Sequence, residues 1–294
     1  MWTFCHYTKR VADYLVRHSL GAYNSRTRMF TKIRTMLGRQ KAARIPTLNS
    51  GDRVYAIGDI HGRIDLFNSL IGAIEQDDAD RGSANTTVIL LGDLIDRGPD
   101  SSAVVARAKE WATHRRLEFI KGNHEEMLIA SLVNADVLRG FLKYGGRETI
   151  MSYGIDERFI DEAEPEELQL RMIEAIPNDD IAFLDSFTKL IRNGDYLFVH
   201  AGIRPQTPLD HQLGRDCRWI REPFLSHNGD FGAFVIHGHT IAEEPQVRSN
   251  RIGIDTGAFV FGALTAIGIE GTERWFLQAR EDEAGAISTF AAAA

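Results

Sequence analysis

Cysteine, long apolar runs and a strong positive charge are all missing from this sequence. Its 294 residues include only two cysteines, Cys5 and Cys217. Their separation matches no metal or redox spacing, so we expect a reduced, cytoplasmic setting. No apolar run approaches the roughly 20 residues that a membrane span requires, and no secretory signal is visible. The net charge of −7 argues against a nucleic acid partner.

The charge is unevenly distributed, because residues 1–50 carry a net charge of +9 and the remainder carries −16. Within this basic N-terminal extension, residues 28–39 have the spacing of an amphipathic helix with a basic face. Such a helix can contact an anionic membrane surface. The simpler interpretation is that the extension is disordered, or that it packs its apolar stripe on the acidic remainder.

Three apolar strands with roughly thirty-residue spacing are each followed by a glycine turn that delivers a side chain able to bind a metal. That interval is typical of a strand, crossover helix, strand unit. In open α/β sheets a ligand lies at the carboxyl ends of the strands, where these side chains fall. The turns that follow the three strands are Gly58-Asp59-Ile60-His61-Gly62, Gly92-Asp93-Leu94-Ile95-Asp96-Arg97-Gly98 and Gly122-Asn123-His124-Glu125.

The remaining pattern divides the chain into a catalytic domain over residues 51–280 and a C-terminal tail over residues 281–294. Residues 126–193 show little strand signal and much helical periodicity, which predicts a helical insertion beside the turns. Strand character returns after residue 195 in closely spaced segments, which predicts antiparallel hairpins and a second mixed sheet.

These motifs resemble the signature of the phosphoprotein phosphatase family of calcineurin-like metallophosphoesterases, and most of all its bacterial and phage branch, which includes lambda phosphatase. Two later motifs complete the signature, and the resemblance covers residues 54–279. The later motifs are Val199-His200-Ala201-Gly202 and Ile236-His237-Gly238-His239-Thr240. The family implies a mixed α/β fold, a four-layer sandwich of two mixed β-sheets flanked by helices.

The resemblance also implies a centre of two divalent metal ions, with Mn²⁺ expected and Fe or Zn as alternatives. A bridging carboxylate can hold two ions close enough to lower the pKa of a shared water, which then serves as the nucleophile. Asp93 is the expected bridge. The six expected ligands are Asp59, His61, Asp93, Asn123, His200 and His239.

Four further side chains are expected to act on the phosphate ester. His124 follows a ligand directly and is the candidate proton donor to the leaving oxygen, and Asp96 would hold its imidazole protonated. Arg97 and Arg221 are expected to bind phosphate oxygens through their planar guanidinium groups. His237 is left outside the site. Asp255 fits either an orienting partner of a ligating histidine or a turn residue.

The main functional interpretation is a protein serine/threonine phosphatase, with phosphotyrosine as a further substrate. The partner would then be a phosphorylated protein or a small phosphoester. One alternative is a symmetrical diadenosine tetraphosphate hydrolase, which shares the metal core. A second alternative is an inactive binding module, which the filled ligand positions argue against.

Overall fold

The computed structural model describes residues 45–294. The basic amphipathic segment 28–39, Cys5 and nearly all of the predicted N-terminal extension lie outside the described residues. Within the described part, residues Pro46–Ala294 form one compact unit. None of its helices has the length and apolar character needed to cross a bilayer.

Strands in the described residues form a six-stranded and a five-stranded sheet. The strands are β1 (Asp52–Ile57), β2 (Asn85–Leu90), β3 (Leu117–Phe119), β4 (Leu190–Asn193), β5 (Tyr196–Val199), β6 (Phe234–His237), β7 (Gln246–Val247), β8 (Arg251–Gly253), β9 (Ala263–Glu270), β10 (Glu273–Glu281) and β11 (Ile287–Ala293). The first sheet has the order β11-β10-β9-β1-β2-β3 and the second has the order β4-β5-β6-β8-β7. Both are mixed, since β1, β2 and β3 run parallel while β9, β10 and β11 run antiparallel, and β5, β6 and β8 run parallel between antiparallel edges.

Helices connect and cover the strands. They are α1 (Ile64–Asp80), α2 (Ser101–Trp111), α3 (Asn123–Ser131), α4 (Ala135–Phe141), α5 (Arg147–Ser152), α6 (Glu157–Glu162), α7 (Pro165–Ala175), α8 (Asn178–Asp185), α9 (Gly214–Trp219) and α10 (Ala258–Phe261). A π-helical turn, Leu142–Gly146, joins α4 to α5, and a short 3-10 turn covers Leu209–His211.

The two sheets pack face to face because side chains alternate along each strand. In β1, Tyr55 and Ile57 point into the core beneath α1 and α2. Val54 and Ala56 point the other way, into a core shared with Phe198 and other residues of the second sheet. A third buried cluster, which includes Cys217 of α9, covers the outer face of the second sheet. The predicted four-layer α/β architecture is therefore confirmed.

Two predicted boundaries and one predicted sheet assignment differ from the structure. The helical segment ends at Asp185, and β4 forms a hairpin with β5 across a two-residue Gly194-Asp195 turn. Residues 281–294 were predicted to be a tail, but β11 pairs along the edge of β10. Asp282 makes that hairpin possible, because its carboxylate accepts hydrogen bonds from the N–H groups of Ala284 and Ala286. The β9–β10 hairpin joins the first sheet, through β1, and not the second.

Candidate metal centre

The five sequence motifs meet at one edge of the sandwich. Each follows the carboxyl end of a strand, with Asp59 after β1, Asp93 after β2, Asn123 after β3, His200 after β5 and His239 after β6. All these strands but β3 lie at or next to the middle of their sheets, so their ends converge. The predicted placement of ligands at strand ends is therefore what the fold produces.

Backbone strain is concentrated at this edge. Among the described residues, six other than glycine have a positive φ, and five of them belong to the motifs. Such conformations cost on the order of 1–3 kcal/mol each and persist only where surrounding structure enforces them. The five residues are His61, Asp93, Asp96, Arg97 and His239, with φ values between 48° and 74°.

Two glycines allow backbone to approach the carboxylates closely. A Cβ at Gly122 would lie 2.1 Å from Oδ1 of Asp93, and a Cβ at Gly238 would lie 2.0 Å from Oδ1 of Asp59. Neither contact is sterically tolerable, so any side chain at these positions would displace the carboxylate. Glycine is required here for close approach of the chain.

Two groups of side chains share Asp93 and have their ligand atoms within 4.8 Å of one another: His61 with Asp93 and His124, and Asp93 with His200 and His239. Oδ2 of Asp93 lies 3.3 Å from Nε2 of His200 and 3.8 Å from Nε2 of His61. Nδ1 of His239 lies 3.2 Å from Nε2 of His200. A carboxylate between two such groups is positioned to bridge two ions.

The other two expected ligands border these groups. Oδ1 of Asn123 lies 3.0 Å from Nε2 of His200. The carboxylate of Asp59 accepts hydrogen bonds from the backbone N–H of His239 at 3.2 and 3.0 Å. All six expected ligands therefore lie in one cluster, in which Asp59 belongs to neither of the two groups and Asn123 adjoins His200 of the second.

The donor set fits divalent cations. Nδ1 of His61 lies 2.8 Å from the carbonyl oxygen of Ile95, and Nδ1 of His200 lies 2.9 Å from that of Leu91. A carbonyl only accepts, so each Nδ1 donates its proton away from the centre and leaves Nε2 facing it. Nε2 of His200 faces the acceptor atoms of Asp93 and Asn123. These atoms repel one another unless a positive charge lies between them, either a proton on the His200 ring or a metal ion.

Charge inside the cluster is unbalanced in a way that a cation would relieve. Burial, together with the neighbouring Asp255 and Asp93, raises the pKa of Asp59. Burial opposes a charge on His200, but Asp93 outweighs it and raises the pKa of His200 to about 10. Burial and the charge on His200 lower the pKa of His239 to about 3. Divalent ions would replace the proton on His200 and stabilise every carboxylate.

His124 differs from the other histidines in its partner. Its Nδ1 lies 2.6 Å from Oδ2 of Asp96. Burial disfavours the charged ring, yet Asp93 and Asp96 together raise the pKa of His124 above its usual value. A ring held protonated at the edge of the cluster suits a proton donor. Because its Nε2 is 3.9 Å from Oδ2 of Asp93, distance alone would also allow it to bind a metal.

The two arginines occupy different positions. Arg97 is half-buried, lies with Nη1 3.0 Å from Nε2 of His61, and places its guanidinium over the ring of Phe259 at 4.6 Å. Arg221 is exposed, but its charge reaches His239 and contributes to lowering the pKa of that ring. Both cations therefore border the centre, and Arg221 has more freedom to reach an incoming anion.

Sequence reasoning gave no role to Glu125, which is fully buried beneath the centre. Its carboxylate accepts hydrogen bonds from the backbone N–H groups of Asp93, Leu94 and Gly122 at 2.8–3.0 Å. Glu125 thus fixes the turn after β2 to the turn after β3. The feature of the sequence that points to a role for Glu125 is its position directly after Asn123-His124 in the third motif.

Sequence reasoning also gave no role to the Gly145-Gly146-Arg147-Glu148-Thr149 segment, which lies against the turn after β2. The Thr149 hydroxyl donates to Oδ1 of Asp96 at 2.5 Å and accepts from the Asp96 N–H at 2.8 Å. The carbonyl of Gly145 accepts the N–H of Arg97 at 2.9 Å. Gly145 has φ 108°, and a Cβ there would lie 2.5 Å from Cγ of Arg97.

The two residues left open in the sequence are now placed. One oxygen of Asp255 accepts the N–H of Gly257, as a turn residue does, and bonds to no histidine. Its other oxygen is buried without a hydrogen-bond partner, which is a further sign of a missing positive charge. His237 is buried in β6 and packs against Phe224, so leaving it outside the site agrees with its position.

The family model of the calcineurin-like phosphoesterases matches residues 52–258. A bis(5'-nucleosyl)-tetraphosphatase PrpE [asymmetrical] of Bacillus velezensis is 30% identical over 230 residues, covering 70% of this chain and 84% of the relative. The protein of the same name from Oceanobacillus iheyensis is 25% identical over 233 residues, covering 73% and 87%.

A solved structure, that of a proposed diadenosine tetraphosphatase, has the same fold, with a TM-score of 0.54 and 20% identity over 83% of this chain and 96% of the other. The family match spans the motifs up to the turn that begins α10, and the chain covers most of each relative's length. The chain belongs to the calcineurin-like phosphoesterase family.

Proposed function

We propose that this chain is a metal-dependent hydrolase of dinucleoside polyphosphates that cleaves a phosphoanhydride bond. The observation that carries the chemistry is the pair of histidine groups that share Asp93. The names of the relatives support the choice of substrate, since both relatives described above are named bis(5'-nucleosyl)-tetraphosphatases.

The nucleotide alternative is therefore favoured over the phosphoprotein phosphatase that the motifs first suggested. No relative described above supports a phosphoprotein as the partner. The sequence alternative also named the symmetrical reaction, whereas the relatives are named asymmetrical. Cleavage off the centre of a tetraphosphate bridge gives a nucleoside triphosphate and a monophosphate, so the products distinguish the two.

In this proposal Asp59, His61, Asp93, Asn123, His200 and His239 hold two divalent ions. When bound, such ions lower the pKa of water and neutralise phosphate charge. Arg97 and Arg221 bind phosphate oxygens of the substrate. Water attacks phosphorus, the bridging P–O bond breaks, and His124 gives its proton to the departing oxygen while Asp96 holds the ring. The helical segment from α3 to α8 shapes access to the centre.

The test compares wild-type rates on diadenosine tetraphosphate, a phosphoserine peptide and a phosphotyrosine peptide at equal Mn²⁺ loading, with products separated by ion exchange. We expect the dinucleotide to be cleaved fastest, to ATP and AMP. EDTA should abolish turnover and Mn²⁺ should restore it. Asp93→Asn should remove nearly all activity, about 10³-fold or more, because it removes the shared carboxylate.

Faster cleavage of either peptide would contradict the substrate but keep the phosphoesterase chemistry. If ADP were the only nucleotide product, the cleavage would be symmetrical, and only the asymmetric part of the proposal would be overturned. A metal-loaded protein that cleaves no phosphoester would instead indicate a binding module.

A further inference from the structure

Trp219 is an aromatic side chain kept at the surface beside the proposed metal centre. Trp219 is the last residue of α9 and is 39% exposed, although Cys217 within the helix and Ile220 just after it are both buried. Its ring lies 6.5 Å from that of His239, centroid to centroid, at an angle of 77°. A large, partly exposed aromatic ring therefore lies beside an expected metal ligand.

The position of Trp219 is fixed by a hydrogen bond to α3, the helix that begins at the candidate ligand Asn123. Its Nε1–H donates to Oε2 of Glu126 at 2.6 Å, and Nη2 of Arg218 donates to Oε1 of the same carboxylate at 2.5 Å. Glu126 lies in the first turn of α3, which begins at Asn123. The indole is therefore held in one orientation, and a ligand that contacts it does not need to order a mobile side chain.

Trp219 also lies two residues before Arg221, whose charge reaches His239. An aromatic ring thus lies beside His239, and a cation whose charge acts on the same ring follows two residues later in the chain. A molecule that joins an aromatic base to phosphates through a short linker offers a partner to both. A phosphorylated serine or threonine side chain offers the phosphate without a base.

The indole is suited to a base because every nucleobase has a π-face. Stacking of a base on an aromatic side chain contributes about 1–3 kcal/mol, or roughly 5- to 150-fold in affinity, and it tolerates different bases. Tryptophan provides a large rigid ring for such a contact.

We propose that the exposed face of Trp219 is a stacking subsite for one nucleobase of the substrate, with the adjoining phosphates at the metal centre. This inference rests on the proposed dinucleotide substrate. It makes Trp219 a specificity-determining residue that contacts the nucleoside and takes no part in breaking the P–O bond.

The test compares the Trp219→Leu and Trp219→Phe variants on two substrates at equal Mn²⁺ loading: diadenosine tetraphosphate and inorganic tetraphosphate, which has the same number of phosphates and no base. Trp219→Leu should raise KM for the dinucleotide about tenfold, with kcat/KM for inorganic tetraphosphate within about twofold of wild type. Trp219→Phe keeps a ring and should retain most of the dinucleotide affinity. Phe290→Leu, which alters an exposed ring on β11, is the matched control and should change neither substrate.

Dinucleotide binding should also quench indole fluorescence in the wild type, and this quenching should be lost in Trp219→Phe. An equal loss on both substrates, or no loss on either, would overturn the subsite, since Trp219 would then only brace Glu126 or do nothing. Failure of the proposed function would appear separately, as a wild type that cleaves inorganic tetraphosphate and leaves the dinucleotide intact, and the subsite would fall with it.

Discussion

Thr149 connects the helical segment to the candidate proton donor through one carboxylate. Its hydroxyl holds Asp96, which in turn holds His124. A hydrogen bond to a charged group contributes about 1.5–3 kcal/mol, so Thr149→Val should lower kcat roughly 10- to 100-fold with little change in KM. Thr149→Ser keeps the hydroxyl and should restore most of the rate. Steady-state kinetics on an alkyl phosphate would measure both.

Thr113→Val is the matched control, because that hydroxyl bonds only the exposed Glu110 carbonyl and the ring of its neighbour His114. A serine variant as slow as the valine variant would show that the methyl group, and not the hydroxyl, matters. Loss of rate explained by a lower Tm would also contradict a positioning role.

We expect the rate lost on replacing His124 to be larger for substrates with poorer leaving groups. An alkoxide needs a proton more than a nucleotide phosphate or an aryl oxide does, and general acid catalysis contributes about 10²–10⁴-fold. His124→Asn should therefore slow alkyl phosphates far more than aryl phosphates or diadenosine tetraphosphate. Relative kcat/KM across the three substrates measures this. Equal loss on all three would instead indicate a metal ligand, which the position of His124 near Asp93 also allows.

At the residue scale, the motifs were enough to predict which side chains meet, because each ligand follows a strand end within a few residues. The supporting contacts were not predictable in the same way. Thr149 and Asp96 are 53 positions apart, and nothing local in the Gly145–Thr149 segment shows what its hydroxyl will contact. Such contacts depend on how the helices pack.

Strand β11 gives the clearest prediction at the element scale. It pairs with β10 over its whole length, although nearly all of its side chains are exposed. Removing residues 286–294 should leave the β10 edge unpaired and lower the free energy of unfolding by about 2–4 kcal/mol, since several net hydrogen-bond contributions are lost. Urea denaturation would measure the change.

The candidate metal centre lies at the ends of other strands, so kcat of this truncated protein should stay within about twofold of wild type below its Tm. The unpaired edge should also promote association, visible by light scattering. Removal of Ala294 alone is the control. An unchanged stability would mean that β11 behaves as the tail that its alanine-rich sequence suggested.

Secondary-structure elements with a clear hydrophobic periodicity could be predicted from the sequence, whereas short or alanine-rich strands could not. The roughly thirty-residue spacing of the first three strands predicted a crossover helix in each interval, and α1 and α2 lie there. β4 was not predicted, although Gly194-Asp195 is a hairpin turn signal, because its four residues follow a long stretch with helical periodicity and are too few to show a period of their own. β11 was missed because alanine has little strand preference, so its pairing follows from the Asp282 turn and the open β10 edge.

The chain joins an acidic compact unit to a basic N-terminal stretch, and the proposed substrate is an anion. Deleting residues 1–45 removes the +9 charge and leaves the −16 remainder, which is the unit Pro46–Ala294. We expect kcat to stay within about twofold, while KM for diadenosine tetraphosphate rises at low salt because attraction of the anion is lost. The difference should vanish near 0.5 M salt, where the Debye length is only about 4 Å.

A full-length variant with Gln at Arg28, Lys32, Arg34 and Arg39 is the matched control, since it removes charge without removing chain. It should reproduce part of the rise in KM. Loss of kcat at every salt concentration in the deleted form would contradict an independent catalytic unit.

At the scale of the molecule, the sequence was sufficient to predict the architecture and the convergence of the candidate ligands, but not the substrate. The same two-metal geometry serves many phosphate esters, so Asp93 and its neighbours do not distinguish a peptide from a nucleotide. In our proposal that distinction depends on Trp219, whose position beside His239 is set when α9 packs against α3.

Gly122 packs so tightly against Asp93, and Gly238 against Asp59, that a substitution at either glycine would displace a candidate ligand. A change of substrate specificity should therefore come from substitutions in the rim, which consists of α9, α10 and the helices after α3, with the candidate ligands and these glycines left unchanged. Directed evolution that randomises the rim and leaves the glycines untouched should recover far more active variants than randomisation of the core.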